Sequence, residues 1–188
     1  MTNGVELWRG EFGNEYTDRN QVDWMKRAMF WDRIITTTGA RSVFEMGCNA
    51  GWNLSAIREF HPQVRVTGSD INERALEQAH AAGLTTYNCL DFRAVPGKFD
   101  LVFTAGVLIH IEPAHVREVM AALIDKSFRW VLAIEYESEY EEAIPYRGHA
   151  DKCWKRPYHK LYMDLGLHLV DRSSPAGFDN CTAWLFEK

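Results

Sequence analysis

The stretch Val43-Phe44-Glu45-Met46-Gly47-Cys48-Asn49-Ala50-Gly51-Trp52-Asn53-Leu54 decides the fold. Strand-like residues run into a glycine turn, and an amphipathic helix follows at once. In an open α/β sheet, a strand, a tight glycine turn and a helix N-terminus form a cradle for a small ligand. Glu45, two residues before the first glycine, suits a ligand that presents a cation or hydroxyls rather than a pyrophosphate alone.

Downstream, the alternation of elements extends the sheet. Residues 64–68 read as a second strand closing on Ser69-Asp70, and Asn72 caps a helix that runs to about Ala82. A short third strand over 84–89 ends at Leu90-Asp91-Phe92, and a buried fourth over 99–104 runs into Ala105-Gly106. Pro113 opens another helix, with Val116, Val119, Met120, Leu123 and Ile124 as its core stripe. A fifth strand over 130–135 is apolar until Glu135. Strand and helix in strict alternation predict right-handed crossovers and a parallel sheet. A short helix near 161–165, then strands over 168–171 and 182–187, predict a return that places one antiparallel strand in the sheet. The expected fold is α/β: a doubly wound, mostly parallel, seven-stranded sheet with one antiparallel strand.

Upstream, residues 1–20 are glycine-dotted and interrupted by Trp8, Phe12 and Tyr16, which predicts an irregular segment packed on the domain. Residues 21–36 predict one helix with a broad buried face carrying Val22, Met25, Ala28, Met29, Trp31, Ile34 and Ile35. The helix after the glycine turn is expected to bury Leu54, Ile57 and Phe60. Residues 137–157 are charged, aromatic and aperiodic, which predicts a long structured loop with a functional role.

Composition sets limits. A chain of 188 residues with 46% apolar and 25% charged residues fits one soluble globular domain. The domain divides into an N-terminal lid and helix (1–36), a ligand-binding core (41–135) and an acceptor-side loop (136–160). A net charge of −5 with no basic run argues against a nucleic-acid partner. Four cysteines without a CxxC pair read as reduced thiols, and no apolar run reaches the length of a membrane span. Both features predict a soluble, cytoplasmic protein without a membrane partner. His149, Asp151 and Cys153 alternate in a loop, which is weak support for a metal site, and none is assigned.

In such sheets ligands sit outside the carboxyl ends of the strands. The candidate residues are therefore Glu45, Gly47, Cys48, Asn49, Gly51, Trp52, Asn53 and Leu54 at the first turn, then Asp70 with Ile71, Asp91 with Phe92, and Thr104, Ala105 and Gly106. Asp70 suits ribose hydroxyls, Asp91 an exocyclic amine and Phe92 the wall of a base, so an adenosine is the expected ligand. The dinucleotide spacing G-x-G-x-x-G is absent, and so is the GKS or GKT of a phosphate loop.

The pattern Glu45-x-Gly47-x-x-x-Gly51, followed by Asp70 and Asp91, resembles the class I S-adenosylmethionine-dependent methyltransferases. That resemblance implies that S-adenosyl-L-methionine is the cofactor. It places Glu45 and the glycines by the methionine part, Asp70 on the ribose and Asp91 near the adenine amine. A narrower resemblance lies at the ends. Trp8-x-Gly10-x-Phe12-Gly13-x-x-Tyr16-Thr17-Asp18-Arg19-Asn20, Ile144-Pro145-Tyr146-Arg147-Gly148-His149, Lys155-Arg156 and Trp184-Leu185-x-x-Lys188 look like the methylases associated with pseudaminic acid biosynthesis. Where that pattern carries an apolar-Phe-Lys-Arg-Asp-Phe run, this chain has Cys153-Trp154-Lys155-Arg156-Pro157-Tyr158.

Tyr16 and Arg19 are expected to cover the cofactor mouth, with Arg19 pairing the methionine carboxylate. Tyr146, Arg147, His149, Lys155 and Arg156 bring donors and positive charge to the acceptor side, which suits a small anionic or sugar-like acceptor. His110 and Glu135, at the ends of the fourth and fifth strands, are the candidate bases. The expected reaction is methyl transfer to an oxygen or nitrogen. The rival readings are a methyltransferase of the same fold acting on RNA or protein, and a protein that binds the cofactor without transfer.

Overall fold

The computed structural model describes residues 2–150 and 152–188; of Thr2 and Asn3 only the backbone is described. Five parallel strands carry the core: β1 (Ser42–Met46), β2 (Arg65–Asp70), β3 (Thr85–Asn88), β4 (Phe99–Ala105) and β5 (Ser127–Glu135). A two-residue pair, β6 (Glu142–Ala143) with β7 (Trp154–Lys155), lies apart from the main sheet. The chain returns through β8 (His168–Ser173) and β9 (Thr182–Glu187). The order is β3-β2-β1-β4-β5-β9-β8, and β9 alone runs against its neighbours. The predicted sheet and its single antiparallel strand are both present.

Helices cover both faces. On one side α3 (Ala28–Thr38), α4 (Trp52–Phe60) and α5 (Glu73–Ala81) bury Trp31, Ile34, Leu54 and Ile57 against the sheet. On the other, α6 (Pro113–Lys126) and α7 (Tyr158–Asp164) bury Met120, Leu123, Tyr158 and Tyr162. Each fully buried large side chain contributes about 1.5–3 kcal/mol by leaving water. Among the described residues, only a short 3-10 turn (Phe92–Ala94) links β3 to β4.

Four expectations fail in instructive places. Residues 2–19 are not irregular but form two short helices, α1 (Thr2–Arg9) and α2 (Glu11–Arg19). Gly13 lets them close: a Cβ there would stand 1.9 Å from the Trp8 carbonyl oxygen and 2.7 Å from Asn72 Nδ2. The long first helix is split into a 3-10 turn (Trp24–Arg27) and α3, leaving Met25 53% and Met29 87% exposed. Phe60 is likewise 43% exposed at the end of α4. The short helix near 161–165 starts earlier, at Tyr158.

Candidate functional site

A cavity of about 440 Å³ opens at the carboxyl ends of β1, β2 and β4, roofed by α1 and α2. Its floor is the glycine turn. Gly47 has φ 73, and its backbone amide, like that of Cys48, donates to the Ser69 carbonyl (2.7 and 2.9 Å). A Cβ at Gly47 would meet Val107 Cγ2 at 2.5 Å, so the β1 turn and the loop after β4 approach as closely as only glycine permits.

Asp70 organises this floor. Its Oδ2 accepts from the Asn49 amide (2.8 Å) and its Oδ1 from the Asn72 amide (2.9 Å), and burial raises its pKa. Each oxygen keeps a second lone pair, as acceptance from a vicinal diol requires. Both asparagines also hold the roof. Asn49 Nδ2 donates to Thr17 Oγ1 (3.0 Å), and Asn72 Nδ2 donates to the Trp8 carbonyl (3.0 Å) and Asn14 Oδ1 (2.9 Å). Asn72 Oδ1 meanwhile caps α5 at the Ala75 amide (2.9 Å).

Glu45 lies at the other end of the floor, 1% exposed. Its Oε1 accepts from Asn53 Nδ2 (2.6 Å), and Asn53 Oδ1 accepts from Arg27 Nη1 (2.9 Å) and Trp31 Nε1 (3.3 Å). Glu45 Oε2 is buried with no hydrogen-bond partner, and burial pushes the carboxyl up to about 8. A buried carboxylate oxygen without a donor, bordering a cavity, fits a ligand that brings a cation. The ammonium of S-adenosylmethionine is such a group, and Arg27 stands on the same lining to meet a carboxylate.

His110 closes the far wall. Its Nδ1 lies 2.6 Å from the Lys152 carbonyl, which can only accept, so Nδ1 carries the proton and Nε2 holds the ring's lone pair. Burial pushes its pKa down to about 4, so the ring is neutral at ordinary pH.

The sequence model of a family described as "Methyltransferase domain" matches residues 44–126, the segment from the glycine turn through α6. A curated relative, a ubiquinone biosynthesis O-methyltransferase of Bordetella parapertussis, is 34% identical over 111 residues, covering 52% of this chain and 45% of its own length. The chain thus spans less than half of that relative. The magnesium protoporphyrin IX methyltransferase of Synechocystis, solved with bound S-adenosylmethionine, superposes with a TM-score of 0.71 at 16% identity, covering 98% of this chain and 94% of that one. The sugar N-methyltransferase KedS8 of Streptoalloteichus superposes at 0.70 and 14% identity, covering 95% and 93%. These superpositions establish a Rossmann-like fold shared with those two methyltransferases.

The cavity takes in most of the residues singled out by sequence. Glu45, Gly47, Cys48, Asn49, Trp52 and Asn53 line it, as do Asp70, Ile71, Phe92, Ala105 and Gly106. Tyr16 roofs it, and His110, Tyr146 and Arg147 form its far side. Gly51 and Leu54 lie behind the floor, where Gly51 (φ 77) starts α4 and Leu54 is core.

Other assignments give way to observed partners. Asp91 turns out to solvent and accepts from Arg93 Nε (2.7 Å) and the Arg93 amide (3.0 Å), leaving Cys89 and Leu90 on the lining instead. Arg93 holds the Asp91 carboxyl below its ordinary range. Arg19 is exposed, 3.6 Å from Glu15 and against the rings of Phe12 and Tyr16; Arg27 takes the position on the cavity.

Glu135 does not border the cavity. It is fully buried beneath it, accepting from Thr104 Oγ1 (2.8 Å) and the amides of Val107 (3.2 Å), Leu108 (3.1 Å) and Ile109 (3.3 Å). Burial pushes its pKa up to about 7 despite those donors. Glu135 and Thr104 therefore fix the loop that carries His110 rather than reaching a substrate.

Arg156 is also withdrawn. It is fully buried, with Nε on Glu141 (2.5 Å), Nη1 on the Leu108 carbonyl (2.8 Å) and Nη2 on the Ile111 carbonyl (2.7 Å). It clamps the two ends of the His110 turn. Lys155 sits in β7, and His149 closes a two-residue hairpin with Tyr146 while packing its ring 5.6 Å from Phe12. Asp151 lies outside the described residues.

The sequence reading did not assign Trp8, Arg27, Tyr136, Phe178 or Asp179 to the site, yet all line the cavity. One signal was available: Trp8, Phe12 and Tyr16 recur every four residues, the spacing of one helix face.

Proposed function

We propose that this chain transfers the methyl group of S-adenosyl-L-methionine to an oxygen or nitrogen of a small, anionic or sugar-like acceptor. The observation that carries the reading is the pairing of Glu45, with its unpartnered Oε2, and Asp70 on the floor of one cavity. Glu45, Asn53 and Arg27 would hold the methionine zwitterion, Asp70 the ribose, and Ile71 and Phe92 the base. When bound, the cofactor supplies an electrophilic methyl on a positively charged sulfur.

The chain's own residues do the rest. Asp70 holds the turn in shape through Asn49 and Asn72. Helices α1 and α2 exclude water, and in-line alignment of acceptor and methyl lowers the barrier. His110 Nε2 offers a hydrogen-bond acceptor to the incoming group. Arg147 is exposed at the mouth, at the tip of the Tyr146–His149 hairpin, where it would meet an anionic group of the acceptor. In this reading residues 1–188 act as one domain, with a lid, a cofactor core and an acceptor-side loop over 136–160. A nucleotide-sugar or sugar acid of the kind handled by pseudaminic acid-associated methylases is the acceptor class favoured by Tyr146 and Arg147.

Titration calorimetry with S-adenosylmethionine tests the reading. Asp70→Ala should weaken binding by about a hundredfold, the size expected for losing charged hydrogen bonds, while circular dichroism stays native. Unchanged affinity in that variant would sink the cofactor assignment.

A further inference from the structure

Resting on the methyltransferase reading above, we propose that cofactor uptake exchanges a proton for a cation at Glu45. In the ligand-free protein Glu45 Oε2 carries the proton, and the ammonium of the bound cofactor displaces it to solvent. Asn53 is the positioning residue that keeps this oxygen free. The floor thereby selects nucleosides that bring a positive charge to the end of β1.

The directions of the hydrogen bonds place that proton. Glu45 lies on β1 between Gly68 of β2 and Phe103 of β4, neither of which offers a side-chain donor. The Arg27 guanidinium and the Trp31 indole can only donate, so both meet Asn53 through its Oδ1 (2.9 and 3.3 Å). That fixes the amide, and its Nδ2 is left to donate to Glu45 Oε1 (2.6 Å). Oε1 accepts this bond best as the carbonyl oxygen of the acid. The proton then belongs to Oε2, which is buried, has no partner and is part of a side chain lining the cavity.

The charges that face Glu45 favour the exchange. Asn53 stands between the carboxyl and Arg27, so the guanidinium acts across it rather than by direct pairing. Asp70 on the same floor opposes a second negative charge, and burial holds the neighbouring Cys48 thiol neutral. A carboxylate buried with one donor and no direct cation is costly to form, and burial pushes Glu45 up to about 8. An ammonium at Oε2 reverses that balance by supplying both the charge and the donor. At pH 7 an α-amino group is mostly ammonium. The neutral acid and the ammonium therefore give a carboxylate–ammonium pair, and one proton passes to the buffer.

Titration calorimetry of the intact chain in two buffers of different ionisation enthalpy counts the protons. At pH 7, S-adenosylmethionine and S-adenosylhomocysteine share the ammonium and should each release about 0.9 proton, the fraction of Glu45 protonated there. 5′-Methylthioadenosine lacks the amino-acid part and should bind with no release. Cofactor affinity should rise about ninefold from pH 6 to 7, and Glu45→Gln should abolish both the release and the rise. Equal release with all three probes, or release that persists in Glu45→Gln, would assign the proton to another group and overturn the inference. Cofactor binding without release would overturn it too, with the cofactor reading left standing. Failure of the wild type to bind any probe would bring down the methyltransferase reading and this inference with it. If Glu45→Gln does not fold, the contrast between the three probes on the wild type decides alone.

Discussion

The floor of the cavity, residues 45–72, and its roof and far wall, drawn from α1, α2 and residues 136–149 and 178–181, face one space but are assembled differently. The floor is local. Glu45 and Asn53 are eight residues apart, and Asp70 closes on Asn49 across neighbouring strands. The far wall is joined by contacts that cross most of the chain, such as Trp8 with Tyr146 and Arg27 with Gly177. In the proposed reading, cofactor recognition rests on the rigid edge of a parallel sheet, whereas acceptor recognition rests on pieces held by side-chain clamps. A wall made of clamps is the part in which single substitutions should do disproportionate harm.

Arg156 offers the hardest test of that contrast. Arg156→Met leaves the exposed Glu141 carboxylate and two carbonyls without their donor, and should cost about 1–3 kcal/mol in urea denaturation for each carbonyl left buried and unpaired. A midpoint equal to wild type would show that the far wall does not depend on this clamp. Asn72→Ala probes the join between the two walls. Loss of the α5 cap and of the bonds to Trp8 and Asn14 should cost about 1–2 kcal/mol and speed proteolytic cleavage within residues 2–19. Destabilisation without faster cleavage would assign Asn72 to the cap alone.

The floor has its own signature in pH. Glu45 and Glu135 titrate near 8 and 7 in the folded chain, both above the ordinary carboxyl value of 4.5. Between that value and about 8 the folded state holds more protons than the unfolded, so stability falls as pH rises through the window. Glu45→Gln should remove the last part of the fall, about 1 kcal/mol between pH 7 and 8 in ligand-free protein. Denaturation midpoints at the two pH values check it, and a slope identical to wild type would contradict the assignment.

Much of the floor was legible in the sequence because its determinants are periodic and adjacent: an apolar strand, glycines at fixed spacing and an acid at the ends of β1 and β2. The mostly parallel sheet with one antiparallel strand followed from the same alternation. The far wall was not, for reasons visible residue by residue. Arg156 reads as an exposed cation, yet tertiary packing buries it and spends its donors on carbonyls more than forty positions away. Asp91 reads as a ligand acid, yet Arg93, two residues on, captures it. Gly4, Gly10 and Gly13 obscure the helical spacing of Trp8, Phe12 and Tyr16, although Gly13 is what allows α2 to approach α1 and Asn72. Local pattern reports strand ends well; it does not report which charge finds a partner first.

Asn49 and Asn72 tie Asp70 to the roof, and the tie works in both directions. Any molecule in which α1 and α2 have swung away has also lost two of the supports that shape Asp70. In the proposed reading, the apparent affinity for the cofactor is then the intrinsic one multiplied by the fraction of molecules whose roof is docked. By reciprocity a bound nucleoside raises that fraction by the same factor. Truncations, tags or solvents that disturb the first twenty residues would therefore register as weaker cofactor binding, although none of them touches the sheet.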